Sequence, residues 1–244
     1  YLAVLIAGSG YLLIKRLPQL KNDNHFDSVV SRESAFLINN LIFLGALFAV
    51  FWGTIFPLVT EAIRGVKVTV AEPFFNKVTI PIGLFLLFLT GVGPLVAWRK
   101  TSTKLLKKIF LKPTAVALLG LAVMLIFGIR HFYALVSLTL CIFVTTTIVL
   151  EFHRGARARM RGNNESYALA IYRLMQKNKR RYGGYVVHFG IVVLFVGFTG
   201  KAFNTEKESR LEIGDSMQIR DYRLEYLDIN TMQDPNKIVW QATM

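Results

Sequence analysis

Four histidines, one cysteine and fifteen carboxylates are the side chains of this 244-residue chain that could ligate a metal or move a proton. His188 stands apart from the rest. It falls inside an apolar run, 184–200, where an ionisable group is costly and is a functional candidate by default. At 1.5 Å per residue it lies about 7 Å inside that run. On a helical wheel Gly184 precedes it by one turn on the same side and leaves open space, with Tyr185, Ile191 and Val192 flanking the face. Gly183, Gly190 and Gly197 repeat every seven residues on the roughly opposite side, a stripe that lets another helix approach closely. An imidazole beside a gap has three roles open to it. It could be an axial ligand of haem iron, with bis-histidine coordination giving an electron-transfer b haem. It could be a structural histidine bonded to a neighbouring helix, or a proton relay with a reference pKa near 6.5. The pattern alone leaves all three open.

The remaining candidates rank lower. His131 sits beside Arg130 in a short turn, His153 in a basic segment and His25 in a polar one; all three read as interfacial or solvated. Cys141 lies in the middle of an apolar run and reads as a small packing residue. No CxxC occurs, so thioredoxin-type redox chemistry and a zinc site are unsupported. Paired carboxylates, a Ser/His/Asp grouping within the apolar runs and a phosphate loop are likewise missing. Gly91–Pro94 is not a dinucleotide fingerprint, since neither the glycine spacing nor a preceding strand is there; it reads as a loosening or kink of its helix.

The elements that must position His188 follow from hydropathy. Hydrophobic residues make up 53% of the chain, in runs long enough for a bilayer core about 30 Å thick. The expected fold is an all-α polytopic membrane bundle over 1–203, with five full spans, 37–59, 80–98, 113–129, 133–150 and 184–200. A sixth run, 1–14, is too short to cross and reads as a partial span. Beyond it, 204–244 changes period: Leu211/Ile213, Met217/Ile219 and Leu224/Tyr226 alternate, with Gly214-Asp215 and Asp234-Pro235-Asn236 as turn signals. This is the expected start of an external β domain, cut within an apparent strand as the first helix is cut at Tyr1.

The net charge of +14 would point to nucleic acid in a soluble protein, but its distribution argues otherwise. The segments 15–36, 99–112 and 151–182 hold 19 of the 29 Lys and Arg residues. That alternation is the positive-inside bias, placing those segments in the cytoplasm and the C-terminal segment outside. The basic excess orients the chain and hints at anionic lipid; no nucleic acid is implied. Ser31 is a candidate cap for the second span, and Val66–Val70 reads as a short extended piece of an external loop, 60–79. Spans four and five form a hairpin around Arg130 and His131. Within 151–182, Ala168, Ile171, Tyr172 and Met175 have helical spacing, fitting an amphipathic helix on the inner interface or a connecting helix under the bundle.

Several segments, in this order, carry a resemblance: Gly-Thr-Ile-Phe-Pro-Leu (53–58), Glu-Pro-Phe-Phe-Asn-Lys-Val-Thr-Ile-Pro (72–81), Gly-Val-Gly-Pro-Leu (91–95), Glu-Phe-x-Arg-Gly-Ala (151–156) and Asn-Lys-Arg-Arg-Tyr-Gly-Gly-Tyr-Val-Val-His-Phe-Gly (178–190). Together they resemble the C-terminal half of the CcmF family of cytochrome c-type biogenesis proteins, and the close paralogue NrfE would share most of them. The resemblance implies a multi-pass protein of a bacterial inner membrane (or of an organelle descended from one), with its C-terminal domain periplasmic. It implies a haem lyase that receives haem from the chaperone CcmE and helps form thioethers to apocytochrome c alongside other cytochrome c maturation proteins. It also implies a b haem held by two transmembrane histidines and reduced with quinol electrons, His188 matching the second of them. The family's tryptophan-rich external segment has no counterpart here, and its flanking histidines and the partner transmembrane histidine would precede Tyr1. The expected fragment thus holds half of one haem site and none of the lyase pocket. Two other classes compete. A haem transporter would need broken helices near the midplane, for which 91–94 is the one candidate, and a non-catalytic assembly scaffold would use the basic segments and β domain for docking.

Overall fold

The computed structural model describes residues 1–20, 32–66, 68–95, 103–163, 165–234 and 237–243. Its helices are α1 (Leu2–Leu20), α2 (Arg32–Arg64), α3 (Glu72–Val92), α4 (Thr103–Ile126), α5 (Phe132–Asn163), α6 (Tyr167–Lys177) and α7 (Lys179–Gly200). Short 3₁₀ turns, Gly93–Leu95 and Lys201–Phe203, follow α3 and α7. Among the described residues α2, α3, α4, α5 and α7 are long and apolar enough to cross a membrane. The protein is therefore a mostly helical membrane bundle followed by small β-hairpins. Large apolar side chains along α2, such as Leu41, Phe48 and Leu47, are exposed, as a lipid-facing surface requires.

The crossing helices start before their expected apolar runs, while α3 gives way to a 3₁₀ turn after Val92 and α4 ends at Ile126, short of the expected 98 and 129. Two further differences correct the expectation from hydropathy. Residues 72–79, expected in a loop, form the first two turns of α3. Pro73 sits in the first turn, where its missing N–H costs nothing, after an extended Ala71. Residues 151–163, also expected in a loop, continue α5 without a break. Arg, Ala and Met are good helix formers, and Arg154 pairs with Glu151 one turn back at 3.0 Å. Pro18 and Pro57 lie inside helices and do not end them. Val66–Val70 forms no strand among its described residues; α2 instead ends at Arg64, before Gly65, whose left-handed φ of +66° glycine adopts without strain, and the Val68 amide donates to Thr60 Oγ1. Ser31 and His25 lie outside the described residues.

The core is built around α5. In its membrane window 39% of residues are buried, against 6–11% in the other four spans. Leu87, Val144, Phe143, Cys141, Tyr182 and Val192 meet there, with Phe143 stacked between Phe88 and Phe110. Cys141 is buried, its Sγ 3.8 Å from the Val192 carbonyl, the packing role expected of it. Glycines admit the close contacts: a Cβ on Gly91 would fall 2.8 Å from the Phe143 ring, and one on Gly53 2.7 Å from Phe74. α6 packs through Ala170 and Leu174, leaving Leu169, Tyr172 and Met175 exposed. The packed face fits a connecting helix against the bundle, and the exposed face carries most of the stripe read at helical spacing.

After α7 the chain forms two antiparallel hairpins, β1 (Ser216–Ile219) with β2 (Tyr222–Glu225), and β3 (Asp228–Asp234) with β4 (Lys237–Thr243). Leu211 and Ile213 precede the first strand and are not in it. The β1–β2 turn falls at Arg220-Asp221, where Arg220 takes φ of +51°. Its guanidinium bonds the Phe203 carbonyl at 2.7 Å and Thr205 at 2.8 Å, tethering the hairpin to the end of α7.

Candidate functional site

The segments that stood out in the sequence dock onto one another. Gly53 of α2 receives Phe74 and Phe75 of α3, and Gly91 receives Phe143. Gly155 of α5 takes Leu174 and Tyr182 against its open face, while Phe152 lies between Tyr182 and Tyr185, with ring centroids at 5.0 and 6.0 Å. Gly91–Pro94 ends α3 in a 3₁₀ turn, so it terminates the helix instead of kinking it.

The first two turns of α7 are anchored to α5 by a polar cluster. Arg181 Nη2 donates to Glu151 Oε2 at 2.8 Å, and Tyr185 Oη donates to the same oxygen at 3.4 Å. Arg154 holds the other carboxylate oxygen at 3.0 Å. One carboxylate thus answers two guanidiniums and leaves one positive charge in surplus. The Glu151 side chain is 12% exposed and that of Arg181 58%, so Arg181 faces outward past its partner. A second cluster holds α5 to α6: Glu165, 5% exposed, accepts from Arg159 at 2.6 and 2.9 Å and from Arg173 at 2.8 Å. Those bonds, chiefly the one from Arg159, hold the Glu165 carboxyl below its ordinary range.

His188 is half-buried two turns beyond Arg181, and its Nδ1 is buried with no hydrogen-bond partner. It lines a cavity of about 460 Å³ whose walls come from three helices: Phe36 and Asn39 of α2, Leu89 and Thr90 of α3, and Arg181 and Tyr185 of α7. Apolar walls with a few convergent polar groups are the usual make-up of a small-ligand or cofactor site, and the volume is within the ordinary range. A buried ring nitrogen left unpaired is costly in a purely structural histidine. The residues therefore fit a metal-bearing group that takes up the imidazole. No other histidine lines this cavity among the described residues, and no cluster of three His, Cys, Asp or Glu able to hold a bare metal ion occurs among them.

The other histidines lie elsewhere. His153 is on the exterior of α5, 3.2 Å from the Tyr167 hydroxyl. His131 precedes α5 and lines a separate cavity of about 700 Å³ at the opposite end of the bundle, beside Asn76, Lys201 and the buried Ser137–Thr199 hydroxyl pair. The Gly183/Gly190/Gly197 stripe is exposed, and a Cβ on any of the three would meet nothing within 4 Å; no described helix packs there. Sequence reasoning missed Arg181 and Asn39 as cavity residues. The signal for Arg181 was present, since it precedes His188 by seven residues and so shares its face.

Known proteins bear on the site at this point. No protein-family model matches the chain. It is similar to the cytochrome c-type biogenesis protein CcmF of Haemophilus influenzae, 29% identical over 252 residues that cover 99% of this chain and 36% of that protein. A solved structure of the cytochrome c haem lyase CcmF superposes with a TM-score of 0.61 at 26% identity, over 88% of this chain and 33% of that one. Similarity to the probable cytochrome c-type biogenesis protein NrfE of Escherichia coli K12 is confined to 76 residues, 31% of this chain, at 32% identity. The chain spans about a third of the length of the CcmF relatives it matches, a smaller share than the half expected.

Proposed function

We propose, on the premise that this multi-pass chain is a homologue of CcmF over nearly its whole length, that it serves cytochrome c maturation as part of a haem lyase. In this reading His188 is an axial ligand of a b haem. The observation that carries it is the buried Nδ1 without a partner, in a side chain that lines a cavity between α2, α3 and α7. Bound there, the haem would supply one-electron transfer toward the haem being attached. The chain's own contributions are distinct from that chemistry. His188 offers the ligand nitrogen, Leu89 and Phe36 exclude water, and Tyr185 is fixed by Glu151 at the cavity's edge. Quinol as electron donor, CcmE as haem donor and apocytochrome c as acceptor belong to the same proposal, as does an inner-membrane orientation with the basic end of α5 in the cytoplasm.

The test is the spectrum of the full-length protein in detergent. Wild type is expected to show low-spin bis-histidine b-haem bands that reduce normally. His188→Ala is expected to lose them, or to turn high-spin with the haem content reduced several-fold. Unchanged low-spin bands in the variant would remove His188 from the site.

A further inference from the structure

The His188 cavity has a second chemical pole. Among the described residues Arg181 is the only side chain of fixed charge in its walls, and the other lining groups besides His188, such as Leu89, Phe36, Asn39, Thr90 and Tyr185, are apolar, aromatic or neutral. Seven residues separate the two along α7, about 10 Å of helix at 1.5 Å per residue, on one face. That is about the reach from the metal of a porphyrin to its carboxylate edge. Glu151 does not cancel the charge, because the same carboxylate also holds Arg154. Glu151 Oε2 accepts from Nη2 and the Tyr185 hydroxyl accepts from Nε, which fixes the guanidinium from one side and leaves the rest of it, on a side chain 58% exposed, open toward the cavity mouth. A planar guanidinium held from behind is suited to a carboxylate in front.

We infer that Arg181 is the carboxylate-recognising group of this cavity, so that the site takes a metalloporphyrin by its metal at His188 and by its propionate edge at Arg181. The inference rests on the reading of His188 as a haem ligand. It explains why the aligned residues stand two turns apart on one helix, and why a surplus positive charge is kept where α7 enters the apolar bundle.

The experiment compares haem with its dimethyl ester, which keeps the metal and the ring and loses both carboxylates. Each is added to haem-depleted full-length protein, and affinity and midpoint potential are read for wild type, Arg181→Gln, Arg181→Lys and His188→Ala. Wild type is expected to prefer haem over the ester roughly tenfold, as for one charge-assisted hydrogen bond. Arg181→Gln is expected to abolish that preference, to bind the ester as wild type does, and to lower the midpoint potential, since a positive charge that disfavours the ferric state is gone. Arg181→Lys is expected to restore part of both. Equal binding of haem and ester by wild type overturns the inference without recourse to any variant. Haem lost in His188→Ala but held by Arg181→Gln with unchanged potential also overturns it, and leaves the ligand reading intact. Full low-spin haem retention in His188→Ala overturns the two together.

Discussion

Gly155→Ala is a one-carbon change whose sign the structure sets. An α-helix interior gains up to about 1 kcal/mol when alanine replaces glycine. At Gly155 the new Cβ would fall 2.6 Å from Leu174 Cδ2 and still closer to the Tyr182 hydroxyl. Both neighbours are buried, Leu174 at 8% and Tyr182 at 4% exposure, so neither swings away freely. Tyr182 is boxed in by Phe152 and by Tyr185 at a centroid distance of 5.7 Å. Overpacking of this kind costs about 1–3 kcal/mol, which exceeds the propensity gain over most of its range. Gly162, in the last turn of the same helix with nothing within 4 Å of its Cβ position, serves as the control. The assay is thermal unfolding of the full-length protein in detergent, followed by loss of the monodisperse peak. Gly155→Ala is expected to lower the midpoint by a few degrees, at about 2–4 °C per kcal/mol, and Gly162→Ala to leave it unchanged or raise it. Because Tyr182 leans on Tyr185, Gly155→Ala should also disturb the His188 cavity and shift the haem bands proposed for it. A Gly155→Ala protein at least as stable as Gly162→Ala would refute the packing argument.

Two further outcomes follow from the polar clusters. Since the folded pKa of Glu165 is depressed, its contribution is present above the ordinary carboxylate range, about 4.3, and is lost as pH falls through the lower folded value. Protease sensitivity at the α5–α6 junction should accordingly rise in strong acid, and Glu165→Gln should show that sensitivity already at neutral pH. The Ser137–Thr199 hydroxyls, 2.6 Å apart and buried, should couple by about 1 kcal/mol in a double-mutant cycle of Ser137→Ala and Thr199→Val read by thermal unfolding. Additive shifts would show that the pair contributes nothing.

Much of this architecture is legible in the residues because apolar length is a strong physical constraint. Each of the five crossing helices overlaps the apolar run read for it, α2, α5 and α7 containing theirs whole, while α3 stops at Val92 and α4 at Ile126, short of the ends expected at 98 and 129. Their ends were not legible, for a reason visible at Glu72-Pro73 and at Arg157–Arg161. Hydropathy reports where a helix meets lipid, whereas the backbone stays helical for as long as propensity and side-chain pairs support it. The hairpin turn at Arg220-Asp221 escaped because a left-handed φ is normally signalled by glycine or asparagine, and here arginine takes it, held by the Phe203 carbonyl. His188 itself was legible through its cost in an apolar run. The α2 and α3 walls of its cavity were not, since periodicity within one helix says nothing about which distant helix lies opposite. Asn39 is the instructive case: it is a polar residue in an apolar run, but only the packing of α2 on α3, where Gly53 receives Phe74 and Phe75, places it there.

Metal-ligating histidines are ordinarily aimed by a hydrogen-bond partner on the ring nitrogen that does not hold the metal. The way α7 is attached to α5 offers a different means of aiming. Hydroxyl to hydroxyl, Ser137 grips Thr199 near one end; Glu151 grips Arg181 and Tyr185 near the other. Between these fixtures α7 behaves as a beam supported at two points, and His188 rides on the supported length, about 10 Å from one and 16 Å from the other. The backbone can neither slide nor roll without breaking one of them. Placement of the imidazole is thus delegated to the frame, and a group that changes charge beside it would find its ligand in the same position before and after, which keeps the reorganisation accompanying each electron small.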